Sequence, residues 1–150
     1  MSPFELERYL HEHLPLTSAM QVFVVSLQPG EVTLGAPLQP NINHKSGVFG
    51  GSAATLAITA AWSLVHMRMR AAGIAGQLVI QRNTMDFTLP MTSDFAARAF
   101  LPGAAAWPKF AQMFERRGRA RITVPAELIC RGRVSGCFEG EFVALGSEYG

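Results

Sequence analysis

Hydrophobic residues along this chain fall into two rhythms. Over 78–89, 119–129 and 134–145 they recur at every second position, as in strands with one buried face. Over 3–14 and 107–117 they recur every three or four, as on one side of a helix. Between 46 and 65 neither rhythm holds, because nearly every residue is small or apolar and none is charged. That run predicts a helix over about 50–70 with no polar side, and a helix apolar all round is one surrounded by other structure. His66, Arg68 and Arg70 suit the negative end of its dipole, and Gly73 can cap it.

Local chemistry fills in the rest. Ser2-Pro3-Phe4-Glu5 is a capping box, with Pro3 at the first helical position and Glu5 reaching back. Phe4, Leu6, Tyr9 and Leu10 form one stripe of that short N-terminal helix, which Pro15 is expected to stop. Strands over 20–27 and 32–38 meet at the turn Gln28-Pro29-Gly30-Glu31. After the long helix come strands over 78–89 and 94–101. A short inserted helix over 107–117 carries Pro108 in its first turn and ends at Gly118. Two final strands turn at Arg131-Gly132-Arg133. The order predicts an α+β fold in one domain, 1–150: an antiparallel sheet of about six strands wrapped around one central helix.

Composition narrows the function. With 13 basic and 11 acidic residues the net charge is +2, too small and too scattered to argue for nucleic acid. The two cysteines, Cys130 and Cys137, make neither a disulfide framework nor a zinc spacing, and are expected to be reduced and structural. His11 and His13, two apart, do not share a helix side and are expected to be solvated. The uncharged run 46–65 has the length of a membrane span, about 20 residues. Its glycines, serines and threonines make insertion weak, so no membrane association is expected. The chain starts directly with a helix rather than a leader, which makes cytoplasm the expected location.

Pro40-Asn41-Ile42-Asn43-His44 leads into Val48-Phe49-Gly50-Gly51-Ser52, with Trp62 further along the same helix. Leu89-Pro90 is followed by Ser93-Asp94-Phe95, then Gly118-Arg119-Ala120-Arg121-Ile122, and last Phe138-Glu139-Gly140-Glu141-Phe142-Val143. In this order and spacing the segments resemble the hotdog-fold acyl-thioester hydrolases, and more narrowly the thioesterase branch typified by the C-terminal domain of bacterial YiiD proteins. The resemblance covers nearly the whole chain. It implies a hotdog fold and a homodimer, or a dimer of dimers, with two sheets joined edge to edge. The active site would lie at the dimer interface near the start of the central helix. The substrate would be an acyl group on coenzyme A (acyl-CoA) or on an acyl carrier protein, with no cofactor and no metal.

Elementary chemistry points to the same place. A helix start offers unpaired N–H groups and a positive dipole end. Gly50 and Gly51 allow a thioester close to their backbone, where the Gly51 N–H can donate to the oxyanion formed as water attacks. The same pair can instead serve only close packing. Ser52 and Thr55, three apart, can hold a water or the substrate. Asn43 can orient water through its amide oxygen, or close a turn on its own backbone. His44 can act as a base near neutral pH, or be a solvated loop residue. Asp86 either reaches the site in a dimer or stays on the surface. Arg119 and Arg121, like Arg131 and Arg133, either meet coenzyme A phosphates or solvate the sheet. The expected set is Asn43, His44, Gly51, Ser52 and Thr55 for catalysis, with Gly50, Arg119 and Arg121 for binding.

Related hydrolases of the phenylacetate-pathway type carry an Asn, a His-Gly-Gly six residues later and an acid within the helix. With the Gly-Gly pairs aligned, Asn43 falls on the Asn, Phe49 on the His and Ile58 on the acid. The carboxylate that would activate water is therefore missing from the helix. Three functions stay open: a hydrolase with direct water attack, a non-catalytic acyl-binding module, and a dehydratase or hydratase on the same fold. The last needs a His where Phe49 stands.

Overall fold

Ser2 opens the chain as its spacing dictates. In the computed structural model, which describes residues 1–146, Ser2 N donates to Glu5 Oε2 at 3.0 Å and Glu5 N to Ser2 Oγ at 3.1 Å. The box caps α1 (Pro3–His13), whose Leu6 and Leu10 are fully buried. Pro15 does more than stop it. It opens a second short helix, α2 (Pro15–Ala19), because a proline at the first helical position lacks only an N–H that had no partner there. The single N-terminal helix expected from sequence is thus two.

β1 (Phe23–Gln28) and β2 (Glu31–Ala36) form the first hairpin. Residues 20–22, expected to be strand, turn into it instead, with Gln21 at φ 58° and Met20 and Val22 buried. A 3-10 turn, Gln39–Asn41, and a polar loop lead to α3 (Gly50–Ala71). Then follow β3 (Gln77–Phe87), β4 (Phe95–Phe100), α4 (Ala106–Arg117), β5 (Arg119–Cys130) and β6 (Arg133–Leu145). Arg131 and Gly132, at φ 53° and 74°, make the two-residue left-handed turn that suits a twisted hairpin.

All six strands join one antiparallel sheet in the order β1-β2-β4-β5-β6-β3. The sheet wraps around α3, so the α+β reading and the hotdog arrangement stand. Inner positions alternate strictly on β5, where Ala120, Ile122, Val124, Ala126, Leu128 and Cys130 are buried. On α3, Ala53, Ala57, Ala60 and Ala61 are fully buried, so the sheet comes close, and Leu56, Leu64 and Val65 fill what remains. Cutting Leu56 to Ala would cost about 2–5 kcal/mol, from lost transfer energy and the cavity left behind. The C-terminal end of α3 is closed by two backbone bonds, Ile74 N to Met69 O at 2.9 Å and Gly73 N to Arg70 O at 3.2 Å. Gly73 supplies the left-handed φ of 69° that this cap needs.

Candidate active site

The polar loop before α3 folds around one side chain. Asn43 Oδ1 accepts from Lys45 N at 2.8 Å and from Gly47 N at 3.0 Å, and Asn43 Nδ2 donates to Val48 O at 3.4 Å. Asn43 N donates to Gly47 O at 2.7 Å. The amide oxygen that was to orient water is already occupied by two backbone donors. Val48 N then bonds Met91 O, and Phe49 N bonds Asn41 O, both at 2.8 Å. Asn41 anchors the loop from below: it is 2% exposed, and its Nδ2 donates to Met20 O at 3.0 Å and Pro37 O at 2.8 Å. His44 is exposed at the loop tip.

α3 begins without a side-chain cap, and no acidic residue lies in its first turn. Phe49 holds the N-cap position, where Ser, Thr, Asp or Asn would accept from the helix N–H groups. The N–H of Ala53 reaches Phe49 O at 3.0 Å, leaving those of Gly50, Gly51 and Ser52 without an intrahelical acceptor. The Phe49 ring folds back over Gly51, so a Cβ there would stand 2.9 Å from its Cζ. The Phe87 ring lies beside Gly50, 3.6 Å from where a Cβ would be. Both phenylalanines are 56% exposed. A positive helix end thus opens between two phenyl rings.

Ser52, Thr55, Ile58 and Trp62 follow along one half-buried strip of α3. Thr59 Oγ1 donates to Thr55 O at 2.7 Å, and Trp62 Nε1 donates to Leu78 O at 3.1 Å, tying the strip to β3. The inner row of β3 is set by its register with β6: Leu78 faces Ala144, Ile80 faces Phe142, Asn83 faces Gly140, Met85 faces Phe138 and Phe87 faces Gly136. A bulge between Ile80 and Arg82 shifts the alternation by one, which turns Asn83 inward and Arg82 outward. Asn83 is a polar member of this row that sequence reasoning missed; a strict alternation puts it outside. Asp86 lies opposite Cys137 on the outer face, away from α3.

Arg119 and Arg121 do not meet Gly50 in the chain. Arg119 pairs with Leu145, and Leu145 with Gln77, whereas Phe87 pairs with Gly136, and Gly136 with Leu128. From Arg119 to Leu128 the strand runs about 30 Å. The arginines therefore sit at the opposite end of the sheet from the start of α3. Arg121 Nε holds Glu141 Oε1 at 2.9 Å on the outer face.

The histidines also depart from expectation. His11 Nε2 lies 2.7 Å from Val22 O, and His13 stacks on Tyr9 with ring centroids 4.1 Å apart, so neither is simply solvated. His66 stacks on Trp62 at 4.5 Å and on Tyr9 at 4.9 Å, and its Nε2 is buried without a partner. Burial, then the nearby charges of Arg70 and His13, lower its pKa to about 4. It is thus neutral at the helix end where a charged ring was expected. Among the described residues, no group of His, Cys, Asp and Glu could hold a metal, and no helix is long and apolar enough to cross a membrane.

A family model described as "Putative thioesterase (yiiD_Cterm)" matches residues 4–146. Similar solved structures share the fold along nearly the whole chain. A protein of unknown function from Chlorobaculum tepidum is 28% identical with a TM-score of 0.91, over 97% of this chain and 94% of that one. A "putative thioesterase" from Shewanella oneidensis is 25% identical with a TM-score of 0.85, over 95% and 96%. A protein from Pseudomonas aeruginosa, described as a "probable thioesterase", has the same fold at 23% identity, with a TM-score of 0.82 over 96% of each chain.

Proposed function

Because this chain belongs to the YiiD C-terminal family of putative thioesterases, we propose that it hydrolyses acyl thioesters at the start of α3. Water attacks the thioester carbon. The Gly51 N–H donates to the oxyanion, and collapse of the tetrahedral intermediate breaks the C–S bond, so the thiol leaves with a proton. Ser52 and Thr55 hold the water on the half-buried side of the helix. His44, next to Asn43 in the loop, takes the water's proton. Asn43 is a positioning residue, since its amide holds the loop that presents the helix. Phe49 and Phe87 flank the acyl group and keep bulk water from the carbonyl, which strengthens a backbone donor aimed at developing charge.

The observation that carries this reading is the helix start without a side-chain cap, with the N–H groups of Gly50, Gly51 and Ser52 lacking intrahelical acceptors between two exposed rings. Among the described residues the outer edge of β3 has no strand partner, and Val79 and Phe87 are exposed on it. In this reading two copies pair there, β3 to β3, as a homodimer. The site then lies beside the junction, with an acyl group on coenzyme A or a carrier protein as substrate.

A second reading has its own support. The Phe49 ring seated over Gly51 accounts for that glycine by packing alone, as in an acyl-binding module without catalysis. Thiol release from a panel of acyl thioesters, short to long and aryl, separates the two. Hydrolysis predicts release that depends on chain length and falls in Ser52→Ala and His44→Ala. Folded, dimeric protein that binds acyl thioesters and releases no thiol would leave the binding module.

A further inference from the structure

The inner row of β3 is apolar except at one residue. Leu78, Ile80, Met85 and Phe87 share that row with Asn83. Ile80 and Met85, on either side of Asn83, are half-buried, and Asn83 itself is exposed. Across the ladder it faces Gly140 on β6. The rings of Phe138 and Phe142 close over that glycine, 2.7 and 2.8 Å from where a Cβ would stand. An amide is thus set among apolar side chains, and among the described residues no group bonds it.

Two tethers fix its height against α3. The Phe87 ring lies beside Gly50 at the start of the helix, and Leu78 O accepts from Trp62 Nε1 at 3.1 Å. Asn83 is four positions from Phe87 and five from Leu78. It therefore stands opposite the middle of the helix between the tethers, at Thr55 to Ile58. From Gly51 to these residues the helix rises about 6–11 Å. An acyl group that starts at the Gly51 N–H and follows the inner row past Phe87 and Met85 meets this amide partway along its chain.

We propose that Asn83 selects the acyl group: the site takes acyl thioesters that carry a hydroxyl several carbons from the thioester, held by this amide. A plain hydrocarbon chain laid along the row strips water from the amide and returns no partner. A hydroxyl at that depth restores one, since the amide offers two donors and an acceptor and the hydroxyl can meet either. A site that hydrogen-bonds a substrate hydroxyl rejects the analogue lacking it more strongly than an apolar pocket rejects an extra methylene. The inference rests on the reading above that the thioester sits at Gly51. The amide does not titrate, so its part is recognition and not proton transfer.

The N-acetylcysteamine thioesters of octanoate, 3-hydroxyoctanoate and 7-hydroxyoctanoate test this. Measured as kcat/KM for thiol release, the 7-hydroxy ester should exceed the plain ester about tenfold, as one hydrogen bond in a desolvated site implies. The 3-hydroxy ester, whose hydroxyl stays beside the thioester, should gain nothing. Asn83→Leu should reverse the order of the plain and 7-hydroxy esters. It suits a row that is already apolar, so Tm and oligomeric state should hold. Calorimetry with the matching ketones, a methylene in place of the thioester sulfur, should give the same order of binding without turnover. Equal values for the plain and 7-hydroxy compounds, a preference for the 3-hydroxy compound, or an order unchanged in Asn83→Leu would overturn the proposal. So would a change of oligomeric state in that variant, which would make Asn83 a residue of the subunit interface. The two claims fail separately. Thiol release from all three esters alike refutes the selection and leaves the hydrolase, whereas the binding preference without any thiol release refutes the hydrolase and leaves the selection.

Discussion

The two ends of α3 are finished differently. At Gly73 a left-handed residue and two backbone bonds satisfy the last carbonyls. Around that end, Trp62, His66 and Tyr9 stack, and Arg68 Nη1 donates to Pro29 O at 2.9 Å. At Gly50 nothing caps the helix, and Phe49 stands where a short polar residue would be worth about 1 kcal/mol. The same chain builds a complete capping box at Ser2, so a cap was within its means. An end left open between two exposed rings forgoes that stability, and in the proposed reading its N–H groups serve the oxyanion.

The sharpest test of this contrast removes one donor. Gly51→Pro, made in a Phe49→Ala background to clear the ring, deletes an N–H that makes no helix bond. Relative to Phe49→Ala alone, kcat for thiol release should fall about 100- to 1000-fold, with little loss of Tm, since proline is tolerated in a first helical turn. Equal rates in the two variants would reduce the open end to a packing detail.

Asn43→Ala comes next. It frees the loop N–H groups of Lys45 and Gly47 and should cost about 1–3 kcal/mol in denaturant unfolding, with a rise in KM. Asn43→Asp keeps both acceptors and should restore most of each. A fall in kcat shared by Ala and Asp, with stability unchanged, would mean that the amide acts on substrate and not on the loop.

At the closed end the effects should be structural only. Gly73→Ala forces a Cβ into left-handed backbone and should lower stability by about 1 kcal/mol, read as a few degrees of Tm, while thiol release at 25 °C stays the same. A change in kcat there would couple the two ends.

A further effect at that end is on pH dependence. The folded pKa of His66, about 4, lies below its ordinary 6.5. Between these values the unfolded chain binds a proton that the folded chain refuses. The contribution of His66 is thus full above pH 6.5 and shrinks as pH falls toward 4. His66→Phe should flatten that part of a stability–pH curve.

Much of this was legible in the sequence for physical reasons. The uncharged run of α3 reads as a core helix once its glycines, serines and threonines set a membrane span aside, and the alternation of β5 reads as a half-buried strand. The start of α3 could be picked out as a candidate because glycines and orphan donors are local features. What escaped depends on neighbours distant in sequence. Pro15 reads as a stop and acts as a start. The bulge after Ile80 turns Asn83 inward, and no residue at the bulge announces it. His66 reads as a dipole partner until Tyr9 and Trp62 close over it. Arg119 and Arg121 were grouped with Gly50 because both suit a carrier, but strand register sets them at opposite ends of the sheet.

Proton–nitrogen spectra of the labelled protein test the central claim most directly. The ligand is a stable acyl-CoA analogue with a difluoromethylene ketone (–CO–CF2–) in place of the thioester, whose hydrate has the tetrahedral shape of the intermediate. The account predicts a downfield shift of the Gly51 amide proton on saturation, larger than for any residue at the Gly73 end. Saturation that leaves the Gly50, Gly51 and Ser52 amides unmoved while others shift would contradict it, and would place the acyl carbonyl elsewhere.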